Sequence, residues 1–169
     1  RIRNGVAVTQ SPWVHLPDPT NADLARHLPD NLHEIVDQRL HSTRDFYADV
    51  FARLESHDHY LFGEFAYPVY NKARDEVETL GIRVVIDFTC FLTVTRTPKG
   101  MPSSISMPDL TEEQETAKAL TLDPGDCIWL LTVTIAKAIH ELLNLAHSRA
   151  DAIEHLLNHD DNPRFSATN

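Results

Sequence analysis

An α/β domain is what this sequence predicts, and three stretches carry the prediction. Residues 82–97 (IRVVIDFTCFLTVTRT) are dense in β-branched side chains and contain neither Pro nor Gly, which marks strand. Residues 53–70 (RLESHDHYLFGEFAYPVY) are rich in aromatics and alternate through Tyr60, Phe62 and Glu64, again strand. From Ile128 to Leu157 apolar residues return every three or four positions, the period of a long helix with one apolar stripe.

The elements follow in order. Residues 5–16 hold short β-type stretches, with Val6, Val8, Val14 and Leu16 spaced by two. Pro17-Asp18-Pro19 forces a turn. Thr20 or Asn21 then caps a short helix over 22–28, with Asp23 in the first turn, where the helix dipole favours a carboxylate. Residues 32–51 are polar, but Leu32, Ile35, Val36, Leu40, Phe46 and Tyr47, then Val50 and Phe51, recur at helical spacing and predict one or two helices. Within 82–97, Val84, Ile86, Phe88, Cys90, Leu92 and Val94 fall on one face. Val85 and Phe91 make the other face apolar too, so at least one strand is expected to be buried on both sides. The charged segment 71–81 reads as a hairpin loop. Residues 98–108, rich in Pro and Ser, read as a flexible loop. Thr111, followed by Glu112, Glu113 and Glu115, starts a helix that runs to about Leu122. Asp123-Pro124-Gly125-Asp126 reads as a turn, with Asp126 placed to cap the long helix.

That helix, over about 126–158, has as its stripe Ile128, Leu131, Ile135, Ile139, Leu142, Ala146, Ala150, Ile153 and Leu157. Nothing breaks it before Pro163. Thirty residues at ~1.5 Å each span about 45 Å. A domain of this size cannot cover such a length, so the C-terminal half is expected to project or to pack against a neighbouring chain.

The chain of 169 residues fits one domain, with no internal repeat. Apolar residues at 42% and charged residues at 24% are ordinary for a soluble globular domain. The longest apolar stretch, Cys127 to Ile139, is interrupted by Lys137 and falls short of the ~20 residues of a membrane span, so no bilayer crossing is expected. Fifteen basic against 25 acidic residues leave a net charge of −10. That balance argues against nucleic acid as a main partner and against an anionic membrane surface. It suits cations, but its default reading is solubility. Two isolated cysteines, Cys90 and Cys127, make no disulfide framework and no zinc knuckle, and point to a reduced, cytoplasmic setting. No signal peptide is expected.

Catalytic signatures are sparse. Five scattered glycines form no phosphate-cradling loop, and there is no Gly-x-Ser-x-Gly elbow. Both cysteines sit where apolar packing is expected. Histidines number ten. On a strand, His57 and His59 of His57-Asp58-His59 would share a face and could hold one metal ion; the alternative is a polar turn leading into a strand. His140, His147 and His155, beside Glu141, Asp151 and Glu154, form either an acidic–imidazole stripe or a solvated helix face. His159-Asp160-Asp161 is expected to be disordered. A metal-dependent phosphohydrolase of the HD type would need an isolated His, a His-Asp pair and a distant Asp, for which His41, His57, Asp58 and Asp126 are nominees. That fold is all helical, whereas this His-Asp pair leads into strand.

In sequence order, several segments resemble one family. Trp13-Val14-His15-Leu16-Pro17-Asp18-Pro19-Thr20 with Ala22-Asp23-Leu24 is similar to "W-(I/V)-x-L-x-x-P-T". Leu32-His33-Glu34 with Val36-Asp37 is similar to "L-H-P-L-x-x-E-D". Arg53-Leu54-Glu55 with Asp58-His59-Tyr60-Leu61-Phe62 is similar to "K-V-E-x-x-x-D-Y-x-F", and Tyr67-Pro68-Val69-Tyr70 fits the end of that strand. Ile86-Asp87-Phe88, then Phe91 through Pro98, is similar to "x-N-F-L-V-T-V-R". Ala152-Ile153-Glu154 is similar to the "I-D-x-L-E" region. The pattern, over most of residues 5–158, resembles the N-terminal cytoplasmic domain of CorA-type magnesium and divalent-cation transporters.

The resemblance implies an α/β/α sandwich with a central mixed sheet, part of a pentameric funnel below the membrane. It implies that the long helix continues as a stalk towards a membrane span outside this chain. The protein would then be a homo-oligomeric regulatory and assembly domain, not an enzyme, at the cytoplasmic face of the membrane. In the family, acidic groups at subunit contacts hold a weakly bound regulatory Mg²⁺ or other divalent cation. The counterpart here is Asp37, with Glu34, which replaces the Pro of "L-H-P", as the second candidate. Residues are inserted between Asp37 and Arg53, and the pore motif Gly-Met-Asn is absent from these 169 residues. Two alternatives stand beside this reading: a free-standing interaction module of the same fold, dimerising through the long helix, and the metal-dependent hydrolase above.

Overall fold

The computed structural model describes residues 12–43 and 53–160, with side chains through Leu157. Val6, Val8, Phe46, Tyr47, Val50 and Phe51 lie outside the described residues, as do the side chains of His159, Asp160 and Asp161. The elements in order are β1 (Trp13–Pro17), α1 (Asn21–Ala25), α2 (Glu34–His41), β2 (Arg53–Ser56), β3 (Leu61–Asn71), β4 (Glu76–Ile86), β5 (Phe91–Thr95), α3 (Thr111–Ala119) and α4 (Pro124–Asp160). The strands form one mixed sheet in the order β1-β5-β4-β3-β2. β1 runs parallel to β5, and the remaining neighbours are antiparallel.

Helices cover both faces of the sheet, which makes an α/β/α sandwich. On one face Trp13, Ile82, Val84, Ile86 and Phe91 pack against Ala117 of α3 and Cys127, Leu130 and Leu131 of α4. On the other, Phe62, Val85, Leu92 and Val94 pack against Leu24 of α1 and Val36 and Leu40 of α2. Alternation along β4 sends Val84 and Ile86 to one layer and Val85 to the other. β4 is therefore buried on both sides, as expected of at least one strand, and so is β5, with Phe91 in one layer and Leu92 and Val94 in the other. Two sets of buried polar groups are paired across the sheet. Trp13 Nε1 donates to Thr93 Oγ1 at 2.9 Å. Glu64, only 3% exposed, accepts from Arg53 Nε at 2.7 Å and faces Arg83 Nε at 3.4 Å.

Five expectations are corrected. The run 82–97 is not one strand: it breaks at Asp87, whose Oδ1 accepts from Thr89 N at 2.6 Å, Thr89 Oγ1 at 2.8 Å and Cys90 N at 2.8 Å. A short polar side chain thereby supplies a turn where no Pro or Gly marks one. Phe88 rides on that turn 90% exposed, not on the buried face. The run 53–70 likewise breaks at His57–Tyr60, closed by His57 N–H to the Tyr60 carbonyl at 2.9 Å. The charged segment 71–81 is mostly strand: β3 and β4 pair from Leu61↔Ile86 to Asn71↔Glu76, leaving only residues 72–75 as the turn. Asn71 organises it, accepting from Ala73 N at 3.1 Å and donating to Glu78 Oε1 at 2.6 Å. Asp123, not Asp126, caps α4: its Oδ1 accepts from Asp126 N at 2.9 Å, and Pro124 takes the first helical position, where no N–H is needed.

The first helix is shorter than expected, ending at Ala25, but Thr20 is its cap. Thr20 and Asp23 form a reciprocal capping box, with Thr20 N–H to Asp23 Oδ2 at 3.0 Å and Asp23 N–H to Thr20 Oγ1 at 3.2 Å. The Thr20 hydroxyl, donating to Asp23 Oδ2 at 2.7 Å, and the Thr20 N–H hold the Asp23 carboxyl below its ordinary range.

Candidate functional site

The long helix has two fates along its 37 residues, a length of about 55 Å. Up to Ala138 its inner face is buried: Cys127 and Leu131 are fully enclosed, and Leu130 and Ala138 nearly so. Leu142 and Leu145 are half-buried along a groove of about 420 Å³ between α4, β3 and the loop at Ser106–Asp109. From Ala146 to Leu157 every side chain is exposed.

A second face of the same helix, beside the buried one, is apolar. Ile139, Leu143, Ala146, Ala150, Ile153 and Leu157 are all exposed, in steps of four and three. That alternation is the a/d spacing seen along coiled-coil seams. Leu156 at 68% and Trp129 at 62% exposure lie outside this stripe. The sequence stripe is therefore two stripes. Leu131 and Leu142 belong to the domain, Ile139, Ala146, Ala150, Ile153 and Leu157 to the uncovered face, and Leu143 was missed.

One contact ties the distal helix to the sheet. Arg149 donates to Asp75 Oδ1 and to Tyr70 Oη, and its guanidinium lies 4.9 Å from the centre of the Tyr70 ring. Tyr70 and Arg149 together hold the Asp75 carboxyl below its usual range. Asp75 sits in the β3–β4 turn at φ 60°, a left-handed position that Asp tolerates.

By length and composition, α4 contains a segment apolar enough to cross a membrane. The expectation that no segment qualifies is corrected on that point. In this fold the inner face of its first half is spent on the sheet.

The candidate metal ligands lie on α2. Glu34 and Asp37 are both exposed, one turn apart. Asp37 Oδ1 is 3.3 Å from His41 Nε2, and Glu34 Oε1 accepts from Gln38 Nε2 at 3.1 Å. Hard carboxylate oxygens on an open helix face suit a hydrated divalent ion.

The other candidates are dispersed. His57-Asp58-His59 forms the β2–β3 turn, so its imidazoles do not share a strand face. The His57 ring stacks on Tyr60 at 4.6 Å. Tyr60 in turn accepts from the His33 N–H at 2.9 Å at the start of α2. Of the hydrolase nominees, His41 is paired with Asp37 on α2, while Asp126 stands in the first turn of α4. Among the described residues no group of three His, Cys, Asp or Glu stands close enough to hold a metal ion. His140, His147 and His155 are exposed on α4. Cys127 is buried and Cys90 half-buried, and burial pushes both thiols up to about 11.

Fold and surfaces together define an α/β/α domain with a projecting helix. Among solved structures the chain is similar to the full-length CmaX protein, with a TM-score of 0.63 and 16% sequence identity over 89% of this chain. It spans 43% of the length of that protein, and the likeness is one of fold. No protein-family model matches the sequence, and no curated protein matches it.

Proposed function

We propose that this chain is the cytoplasmic assembly and regulatory domain of a divalent-cation transporter of the CorA type. The observation that carries the reading is α4: a helix that leaves its own domain with an a/d-spaced apolar face uncovered. Isolated in water that face costs free energy, about 25 cal/mol per Å² of apolar surface. Neighbouring copies cover it, and the helix carries the assembly towards a membrane portion outside these residues. The sandwich, the mixed sheet and the segment order are those the family resemblance implies.

In this reading Glu34 and Asp37 face the neighbouring copy. Carboxylates from two subunits repel, and a divalent ion between them, held partly through its water shell, offsets the repulsion. Ion binding then favours the closed assembly by its differential affinity for that state, and ion loss loosens it. Mg²⁺ sheds water reluctantly, so the site is weak and responds in the millimolar range.

The test is self-association measured with and without Mg²⁺. Wild type should associate more tightly in millimolar Mg²⁺, and the Glu34→Ala/Asp37→Ala protein should lose that response. Association indifferent to Mg²⁺ would overturn metal sensing and favour a free-standing interaction module. A chain monomeric at every concentration would overturn both.

A further inference from the structure

One end of the sheet carries a cleft that the assembly reading does not use. Three segments converge there: the β2–β3 turn at His57–Tyr60, the β4–β5 turn at Asp87 and Phe88, and the start of α4 at Asp123–Gly125. The cleft encloses about 430 Å³, within the range of small-molecule sites. Its floor is apolar, from Tyr60, Leu61 and Ile86, and Phe88 stands at its rim 90% exposed. A phenyl ring so placed lies on one side of a concave surface with nothing of its own domain over it.

Asp58, Asp87 and Asp123 line the cleft beside the imidazoles of His57 and His59, and neither Lys nor Arg does. Two of these carboxylates are held in place. Asp87 is fixed through Oδ1 by the turn it closes, and Asp123 through Oδ1 by the Asp126 N–H. Their positions are set by the backbone, so no ordering cost falls on the ligand. At the α4 start, Gly125 keeps the wall low: a Cβ there would meet only Asp123 Oδ1, at 3.2 Å.

We infer that this cleft binds a small organic cation, an amine with an aromatic or aliphatic body. The body lies over Leu61, Ile86 and the Phe88 ring, and the ammonium faces Asp58, Asp87 and Asp123. The cavity and its apolar floor make the site, and the carboxylates choose the charge. Apolar contact alone accepts neutral and cationic molecules alike, whereas three carboxylates with no Lys or Arg among the lining residues reward a positive one and repel an anion. Phe88 adds a ring face for the ammonium to approach.

The experiment is a protein-observed NMR titration of the whole chain with tryptamine and with its neutral analogue tryptophol. The expected result is shifts at the amides of Asp58, Asp87, Phe88 and Gly125, with tryptamine binding about tenfold more tightly than tryptophol, the sum of three weak charge contacts. Raising the salt concentration narrows that ratio. Asp58→Asn, on an exposed turn, weakens tryptamine about threefold and leaves tryptophol unchanged. Phe88→Ala weakens both, and both variants keep the wild-type melting temperature. Equal affinity for amine and alcohol overturns the cation assignment. No shift at these amides up to about 10 mM, below which a useful small-molecule site would show, overturns the site itself. Neither result bears on association through α4, which is read separately.

Discussion

The two ends of α4 share one helical period and part company over what covers them. Around Cys127–Ala138 the inner stripe lies against Trp13, Val84 and Phe91 and forms part of a closed core. Over 146–157 every side chain is exposed, yet Ala146, Ala150, Ile153 and Leu157 keep the spacing. The difference teaches that periodicity specifies a face and not its partner. The first stretch stabilises the fold, and the second is available only to another molecule.

Substitutions that separate the two halves should differ in kind. Leu131 is fully enclosed, so Leu131→Ala should cost about 2–5 kcal/mol and lower the melting temperature by roughly 5–15 °C. A smaller loss would mean that the proximal half is less tightly packed than its burial indicates. Arg83→Leu tests the opposite sheet face, because it strips a partner from buried Glu64. A loss of about 3 kcal/mol is expected on denaturant unfolding, moderated by the remaining Arg53 contact. Leu143→Asp with Ile153→Asp should leave the monomer's melting temperature within about 1 °C of wild type, because exposed positions contribute little to the fold, while weakening association at least tenfold.

The smallest effect is expected at the join. Arg149→Ala should leave the melting temperature close to that of wild type, because exposed ion pairs are screened by water and salt. Its clearer readout is faster hydrogen exchange of α4 amides beyond residue 145. Unchanged exchange would show that the Tyr70–Asp75 contact does not steady the distal helix.

Much of this fold was legible in the sequence. Thr20 and Asp23 announced a capped helix, the β-branched run announced the central strands, and the 3.6-residue period announced α4. What escaped was local turn chemistry. Asp87 breaks a run that contains no Pro or Gly by accepting three hydrogen bonds on one oxygen, a role no composition rule marks. Segment 71–81 looked like a loop because its charges hid an antiparallel register that only the partner strand reveals. The site was less legible than the fold. Glu34 and Asp37 were nominated by resemblance, and their exposure on α2 needed the structure. A single stripe through Leu142 does not include Leu143, because the helix carries two apolar faces side by side.

Sedimentation velocity of the chain over a range of concentrations tests the central claim most directly. Wild type should shift to a larger species as concentration rises, and the Leu143→Asp/Ile153→Asp protein should stay monomeric with an unchanged melting temperature. A wild type that remains monomeric throughout, or a double variant that associates as wild type does, would contradict the assignment of the distal helix as the assembly surface.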